Sequence, residues 1–192
     1  MVQFMKDGCT RFVITDIVEK KLKETEQLAK EIDPNVGIEC VLGDITSETV
    51  ANEIVQRTVE RYGRLDYAVN CAGITGTGLN TDATPSADYQ KVMEVNIDAM
   101  FLCERAQIRA MLKQDLVDGY TTSICRALKF RHRGSIINVS SIMGSLGGPR
   151  ATPYVISKHA VLGLTRADGV TYAPQGIRVN CVSPGYSLLF LH

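Results

Sequence analysis

The chain has 192 residues, and its 21 lysines and arginines balance its 21 aspartates and glutamates. A neutral chain offers no electrostatic case for binding nucleic acid or an anionic membrane surface. No apolar run approaches the roughly 18 residues that a membrane-spanning helix needs. The start, MVQFMKDGCTR, lacks the long apolar stretch of a secretion signal. These features favour a single domain, residues 1–192, located in the cytoplasm.

The cysteines also favour a reducing compartment. The six of them are spread along the chain, without a CxxC pair and without zinc-like spacing to any of the three histidines. Most have apolar or small neighbours, as buried thiols do. Free thiols are therefore expected, and neither a disulfide framework nor a metal site is predicted.

Short β-branched runs alternate with longer segments of helical period. The predicted strands are Arg11–Thr15, Ile38–Leu42, Leu65–Val69, Ser135–Val139 and Ile177–Val182. The predicted helices between them are Val18–Ile32, Ser47–Tyr62, Ser86–Leu112 and Tyr154–Ala173. Strands that alternate with helices predict an α/β fold with a parallel sheet that is covered on both faces.

Residues 113–133 break this alternation. The segment is mixed and partly basic, and its last part carries Lys129, Arg131, His132 and Arg133. We interpret it as a surface insertion whose basic side chains are solvated. A nucleic-acid-binding role is the less favoured alternative, because the chain as a whole is neutral.

Short polar or turn-forming residues follow the predicted strands at their carboxyl ends. They are Asp16, Asp44, Asn70, Ser140–Ser141 and Pro184–Gly185. Each of them could instead be a helix cap or a turn residue, since caps and turns favour the same residue types. Ligands of open parallel sheets bind at this edge, so that together these residues predict a continuous polar rim.

Tyr154 and Lys158 are four residues apart at the start of a predicted helix, so their side chains share one face. An ammonium near a phenol favours the phenolate, which suits a group that exchanges a proton near neutral pH. The pair alone carries little weight, because chance also produces this spacing. Ser141 precedes it across a glycine-rich loop that can fold back. A carbonyl oxygen held between Ser141 and Tyr154 would be polarised, and protonated as hydride reaches the carbon.

These motifs resemble the short-chain dehydrogenase/reductase family. In chain order they are Asp44, Asn70-Cys71-Ala72-Gly73, Val95-Asn96-Ile97, Ile136–Ser141, Tyr154–Lys158, Arg178-Val179-Asn180 and Ser183-Pro184-Gly185. Their order and spacing agree over nearly the whole chain, apart from residues 113–133. The resemblance implies a Rossmann-type doubly wound parallel sheet. It also implies an oxidoreductase that transfers hydride between a nicotinamide cofactor and a small alcohol or ketone.

The resemblance assigns roles to the matching positions. Tyr154 would be the general acid/base, Lys158 would assist it and hold the nicotinamide ribose, and Ser141 would orient the substrate oxygen. Asn96 would complete the tetrad through a water-linked proton relay. The implied cofactor contacts are Asp44 at the adenine, Asn70, Ala72 and Gly73 along the adenosine, and Pro184, Gly185 and Ser187 at the nicotinamide.

Asp16 bears on the choice of cofactor. In the family, an acidic side chain after this strand accepts hydrogen bonds from the ribose hydroxyls and repels a 2′-phosphate. NAD is therefore the expected cofactor, with NADP as the alternative. The same carboxylate could also cap the following helix. Association into a homo-oligomer is left open.

The sequence also departs from the family pattern. It contains no TGxxxGxG turn, which in the family leads into the helix that receives the pyrophosphate. Residues 1–8 resemble the second half of that helix, and the family's final strand does not follow Gly185. The missing first strand would lie between the strands that end at Asp16 and Asn70, so both should present unpaired edges.

Two alternatives to a working oxidoreductase follow from this departure. The chain could be a catalytically inactive, truncated family member, and residues 1–192 alone are expected not to bind a dinucleotide. A regulatory protein that senses nucleotide without turnover is less favoured. Such a sensor would not need Ser141, Tyr154 and Lys158 together.

Overall fold

The computed structural model describes residues 1–118 and 131–185. Its α-helices are α1 (Val2–Lys6), α2 (Glu19–Ile32), α3 (Glu48–Tyr62), α4 (Ser86–Met93), α5 (Ala99–Leu112) and α6 (Thr152–Tyr172). A π-helical turn (Glu94–Asp98) joins α4 to α5, and short 3-10 turns cover Thr81–Ala83, Ile142–Gly144 and Ala173–Gln175. Within the described ranges, no helix combines the length and the apolar character that crossing a membrane requires.

The strands form two parallel sheets and one short antiparallel pair. They are β1 (Arg11–Asp16), β2 (Gly37–Leu42), β3 (Tyr67–Asn70), β4 (Val117–Asp118), β5 (Arg131–His132), β6 (Gly134–Val139) and β7 (Ile177–Val182). β1 pairs with β2, and β6 lies between β3 and β7. The prediction of an α/β fold with parallel strands is confirmed.

The two parallel sheets are not hydrogen-bonded to each other. In the part of the chain that the structure describes, β1 and β3 each have one edge without a strand partner. The side chain of Tyr62 on α3 donates to the carbonyl oxygen of Phe12 on β1 at 3.4 Å. Since α3 also packs against α5, it holds the two sheets side by side.

The main core lies between the three-stranded sheet and the helices α3 and α5. Its buried members are Val55, Leu65, Ala68, Ala106, Ile108, Met111, Ile136, Ile177 and Val179. A smaller cluster, formed by Ala29, Val36 and Ile38, lies between α2 and the two-stranded sheet. Each of the two parallel sheets thus packs against its own apolar cluster.

One face of the three-stranded sheet is open within the described residues. On that face Tyr67, Val69 and Val182 are 41%, 45% and 47% exposed. The opposite face packs against α5 and α6. The helix α2 packs on β1 and β2, and not on this face.

The segment 113–133 is described only at its two ends. Val117 pairs with His132 and Asp118 with Arg131 in an antiparallel ladder, whereas Lys129 lies outside the described residues. His132 is 2% exposed, so the prediction of a solvated side chain is wrong for this residue. Burial lowers the pKa of His132, since a charged imidazole is poorly solvated there. That the segment is a surface insertion stays a prediction.

Candidate active site

Lys158 is the buried centre of the candidate site, with 4% of its surface exposed. Its Nζ donates to the carbonyl oxygen of Val139 at 2.9 Å and lies 5.5 Å from the centroid of the Tyr154 ring. Burial lowers the pKa of the ammonium, and the nearby Cys181 and Cys71 oppose this shift. Within residues 1–118 and 131–185, the ammonium makes no second hydrogen bond. Two of its N–H groups are therefore left for a ligand.

Tyr154 lies in the first turn of α6, one helical turn before Lys158. Pro153 stands at the very start of this helix, where a missing N–H costs no intrahelical hydrogen bond. The Tyr154 side chain is partly buried. The structure thus brings the phenol and the ammonium together on one face of α6.

Ser141 follows β6 and begins the 3-10 turn Ile142–Gly144. Its Oγ accepts a hydrogen bond from the N–H of Met143 at 3.2 Å, which leaves the hydroxyl proton for a substrate oxygen. The hydroxyl of the neighbouring Ser140 donates to the carbonyl oxygen of Lys158 at 2.8 Å. This bond fixes the end of β6, and with it Ser141, against the first turns of α6.

Gly144 permits this close approach between β6 and α6. A Cβ at Gly144 would lie 2.4 Å from Oγ of Ser140 and 2.7 Å from the carbonyl oxygen of Lys158, two atoms that are hydrogen-bonded to each other. We expect Gly144→Ala to lower the free energy of unfolding by about 1–3 kcal/mol in urea titrations, through overpacking. Gly147→Ala is the matched control, because a Cβ there has no neighbour within 4 Å. Equal stability of the two variants would contradict the contact.

Asn96 is fully buried in the π-helical turn. Its Oδ1 accepts from the N–H of Ile74 at 2.8 Å, and its Nδ2 donates to the Ile74 carbonyl and to Oγ of Ser157, both at 2.9 Å. A Cβ on Gly73 would lie 3.2 Å from Oδ1 of Asn96 and 3.5 Å from Nζ of Lys158. The Asn96 side chain therefore holds the turn after β3 beside the lysine. The role of Asn96 in a proton relay stays a prediction. It would involve the main-chain carbonyl of Asn96, because the side-chain amide is already hydrogen-bonded.

Asp16 is the last residue of β1, and Asp44 follows the neighbouring strand β2. Oδ1 of Asp16 accepts from the N–H of Val18 at 2.8 Å, and Oδ1 of Asp44 accepts from the N–H of Thr46 at 2.9 Å. The Thr46 N–H lowers the pKa of the Asp44 carboxyl. Both carboxylates thus stabilise local turns. A second hydrogen bond, to a ribose or an adenine, is compatible with these turns, because a carboxylate accepts several.

The side chain of Asn70 forms its hydrogen bonds with other side chains of the protein. Its Nδ2 donates to Oε1 of Gln107 at 3.1 Å and to Oδ1 of Asn138 at 2.9 Å, and its Oδ1 accepts from Gln107 at 2.7 Å. Asn70 can therefore offer its main chain to an adenosine, as Ala72 and Gly73 can. Their contact with the cofactor stays a prediction.

Pro184 and Gly185 lie next to the 3-10 turn that Ser141 begins. The carbonyl oxygen of Pro184 accepts from the N–H of Ile142 at 2.8 Å. This position suits the contact with a nicotinamide, which stays a prediction. The predicted contact of Ser187 lies outside the described residues.

The described residues fit one end of a nicotinamide dinucleotide. At the ribose of the nicotinamide, Lys158 offers N–H donors, and Gly73 leaves space in front of them. At the pyrophosphate, the family's TGxxxGxG turn, which leads directly from a strand into a helix, is absent from residues 1–118 and 131–185. Backbone N–H groups for two phosphates are thus not provided there.

Three buried polar residues around the site were not predicted: Ser157, Glu104 and Asn138. Ser157 joins the main chain of Tyr154 to Asn96, with its hydroxyl 2.8 Å from the Tyr154 carbonyl oxygen. The sequence does contain signals that could have pointed to Asn138 and Glu104. Asn138 interrupts an apolar strand, and Glu104 lies on the face of α5 that otherwise carries apolar residues.

Comparisons with known proteins show the family of the chain. A family model described as enoyl-(acyl carrier protein) reductase matches residues 2–188. An uncharacterized oxidoreductase of Thermotoga maritima is 39% identical over 184 residues, which are 96% of this chain and 64% of the relative. The family model and this relative both cover nearly the whole of residues 1–192. The chain belongs to the short-chain dehydrogenase/reductase family.

Solved structures show the same Rossmann fold. The structure of ElxO with NADP bound has a TM-score of 0.78 and 33% identity, and the match covers 96% of this chain and 66% of that chain. The structure of NAD+-bound xylitol dehydrogenase has a TM-score of 0.78 and 29% identity, with 91% and 60% covered. The chain therefore spans about two thirds of the length of these relatives, or less.

Proposed function

We propose that the whole protein is an oxidoreductase that interconverts a small alcohol and its ketone or aldehyde with a nicotinamide cofactor. The observation that carries this proposal is the buried ammonium of Lys158, held 5.5 Å from the Tyr154 ring with N–H groups left for a ligand. The relatives' names, an oxidoreductase and a dehydrogenase, favour this function over a catalytically inactive protein. The test is NADH oxidation by the whole protein with a panel of ketones and aldehydes. No turnover with any of them would contradict the proposal.

Each residue of the site has a defined task in carbonyl reduction. When bound, the cofactor supplies the hydride. The Ser141 hydroxyl donates a hydrogen bond to the carbonyl oxygen and orients it. The Tyr154 hydroxyl transfers its proton to that oxygen as negative charge develops there. The Lys158 ammonium stabilises the resulting phenolate and binds the ribose.

We propose NAD as the preferred cofactor, because Asp16 places a carboxylate at the end of β1. We expect Asp16→Asn to raise the ratio of kcat/KM for NADPH to that for NADH by roughly tenfold, since removing a charge at about 4 Å is worth 1 kcal/mol or more. Asparagine keeps the acceptor for Val18. Asp33→Asn is the matched control, because its carboxylate accepts from Asn35 in a similar turn. A parent that already prefers NADPH would contradict the proposal.

The proposed setting is the cytoplasm, and the proposed partner is a small-molecule alcohol or ketone. The cysteines in the described ranges are all unpaired, which suits a reducing compartment. Nucleic acid and membranes are not proposed as partners. Association with a second copy of the chain is proposed only as an extension of the family resemblance.

A further inference from the structure

Glu104 lies on α5, outside the candidate active site, and it is fully buried. Its Oε2 accepts a hydrogen bond from Nδ2 of Asn138 at 2.7 Å, whereas its Oε1 has no hydrogen-bond partner among the described residues. The carboxyl group of Asp168, on α6, lies beside it. Two carboxylates only accept hydrogen bonds, so they can satisfy each other only when one of them carries a proton.

Asn138 connects this carboxyl pair to the active site. Its Nδ2 also donates to Oγ1 of Thr165 at 3.0 Å, and its Oδ1 accepts from Asn70 at 2.9 Å. The next residue, Val139, supplies the carbonyl oxygen that holds Nζ of Lys158. A displacement of Asn138 would therefore move the carbonyl that positions the lysine.

Among the residues that the structure describes, one charged group acts on Glu104. This group is Asp168 from α6, whereas β6 contributes the amide of Asn138. Glu48 from α3 is paired with Arg105, the residue after Glu104. Burial raises the pKa of Glu104 to about 7, the Asn138 hydrogen bond opposes this shift and Asp168 adds to it.

We propose that Glu104 is a positioning residue: it carries a proton, donates a hydrogen bond to Asp168, and so joins α5 to α6 behind the strand that holds Lys158. When the proton leaves, the buried carboxylate of Glu104 faces the partly exposed carboxylate of Asp168, and the support of Asn138 and of the lysine weakens. The effect on catalysis rests on the proposed function. The proton and its effect on stability do not.

The first test is the pH dependence of thermal unfolding in the whole protein. Because the folded-state pKa lies above that of an exposed glutamate, the stabilisation is present at low pH and is lost as the pH rises through about 7. Glu104→Gln keeps an acceptor for Asn138 and a donor for Asp168 at every pH. We therefore expect its Tm to exceed that of the parent by several degrees at about pH 8, and the two to converge near pH 5.

Glu60→Gln is the matched control for this test. Glu60 is an exposed glutamate on α3 that accepts from Gln56, so its replacement should leave the pH dependence of the Tm unchanged. If the Tm difference between the parent and Glu104→Gln varies with pH no more than that of the control, the inference is wrong.

Infrared spectroscopy detects the proton directly in the parent protein. This measurement therefore does not depend on whether a variant folds. The parent should show a protonated-carboxyl band at about pH 6 that Asp168→Asn shifts to lower pH, because the neighbouring negative charge is removed. A parent without a protonated-carboxyl band at this pH would overturn the inference.

The effect on catalysis is measured as the pH profile of kcat in the whole protein. We expect Glu104→Gln to keep its activity to higher pH than the parent does, with little change in KM at low pH. An identical pH profile in the two proteins would overturn the positioning role. A parent with no turnover at any pH would contradict the proposed function instead, and the infrared and unfolding results would then decide on the proton.

Discussion

Tyr154→Phe in the whole protein is expected to lower kcat by about 10²–10⁴-fold, the usual contribution of a general acid/base. Cofactor affinity should stay near that of the parent, because the ring remains beside the Lys158 ammonium and only the proton-transferring hydroxyl is lost. Turnover of a ketone gives kcat, and NADH fluorescence gives Kd.

The matched control for this variant is Tyr89→Phe. Tyr89 lies on α4 and is 41% exposed, so the loss of its hydroxyl should leave both quantities unchanged. If Tyr154→Phe retains more than about half of the parent rate, Tyr154 is not the general acid/base.

The polypeptide of residues 1–192 alone is expected not to bind NADH at concentrations on the order of micromolar. The pyrophosphate needs backbone N–H groups at a helix N-terminus. The described residues contain no TGxxxGxG turn that leads into such a helix. The open edges of β1 and β3 should also favour aggregation. The measurement is a fluorescence titration with NADH after a thermal melt has tested folding. A cooperative melt together with micromolar binding would show that the prediction is wrong.

The secondary structure could be predicted wherever it depends on local sequence. The run Ile177–Val182 is β7 without change, and the other parallel strands begin and end within two residues of their predicted bounds. The predicted helix Ser86–Leu112 is interrupted by the π-helical turn Glu94–Asp98. Periodicity could not show this interruption, because it accompanies the contact of Asn96 with Ile74, which is distant in sequence.

The arrangement of the sheets depends on contacts between distant segments. The alternation of strands and helices predicted parallel pairing. It could not show which helix covers which strand, such as the packing of α2 on β1 and β2. The burial of His132 was missed for the same reason, since its ring lies near that of Tyr67 on β3, with 6.3 Å between the centroids.

The candidate site was predictable where its geometry is local. The positions of Tyr154 and Lys158 on one helix face follow from a spacing of four residues. The direction of the Asn70 side chain does not follow from its own sequence, because Gln107 and Asn138 determine it. Glu104 was missed because its burial depends on α6, which is far away along the chain.

Transfer of deuterium tests the proposed oxidoreductase activity most directly. The whole protein would be incubated with NADH or NADPH that carries deuterium at C4, together with a panel of ketones and aldehydes, and the products analysed by mass spectrometry. We predict that one alcohol product carries a single deuterium at its carbinol carbon and that Tyr154→Phe lowers the rate of its formation by about 10²–10⁴-fold. A protein that melts cooperatively and yields no labelled alcohol from any of these carbonyl compounds would contradict this account.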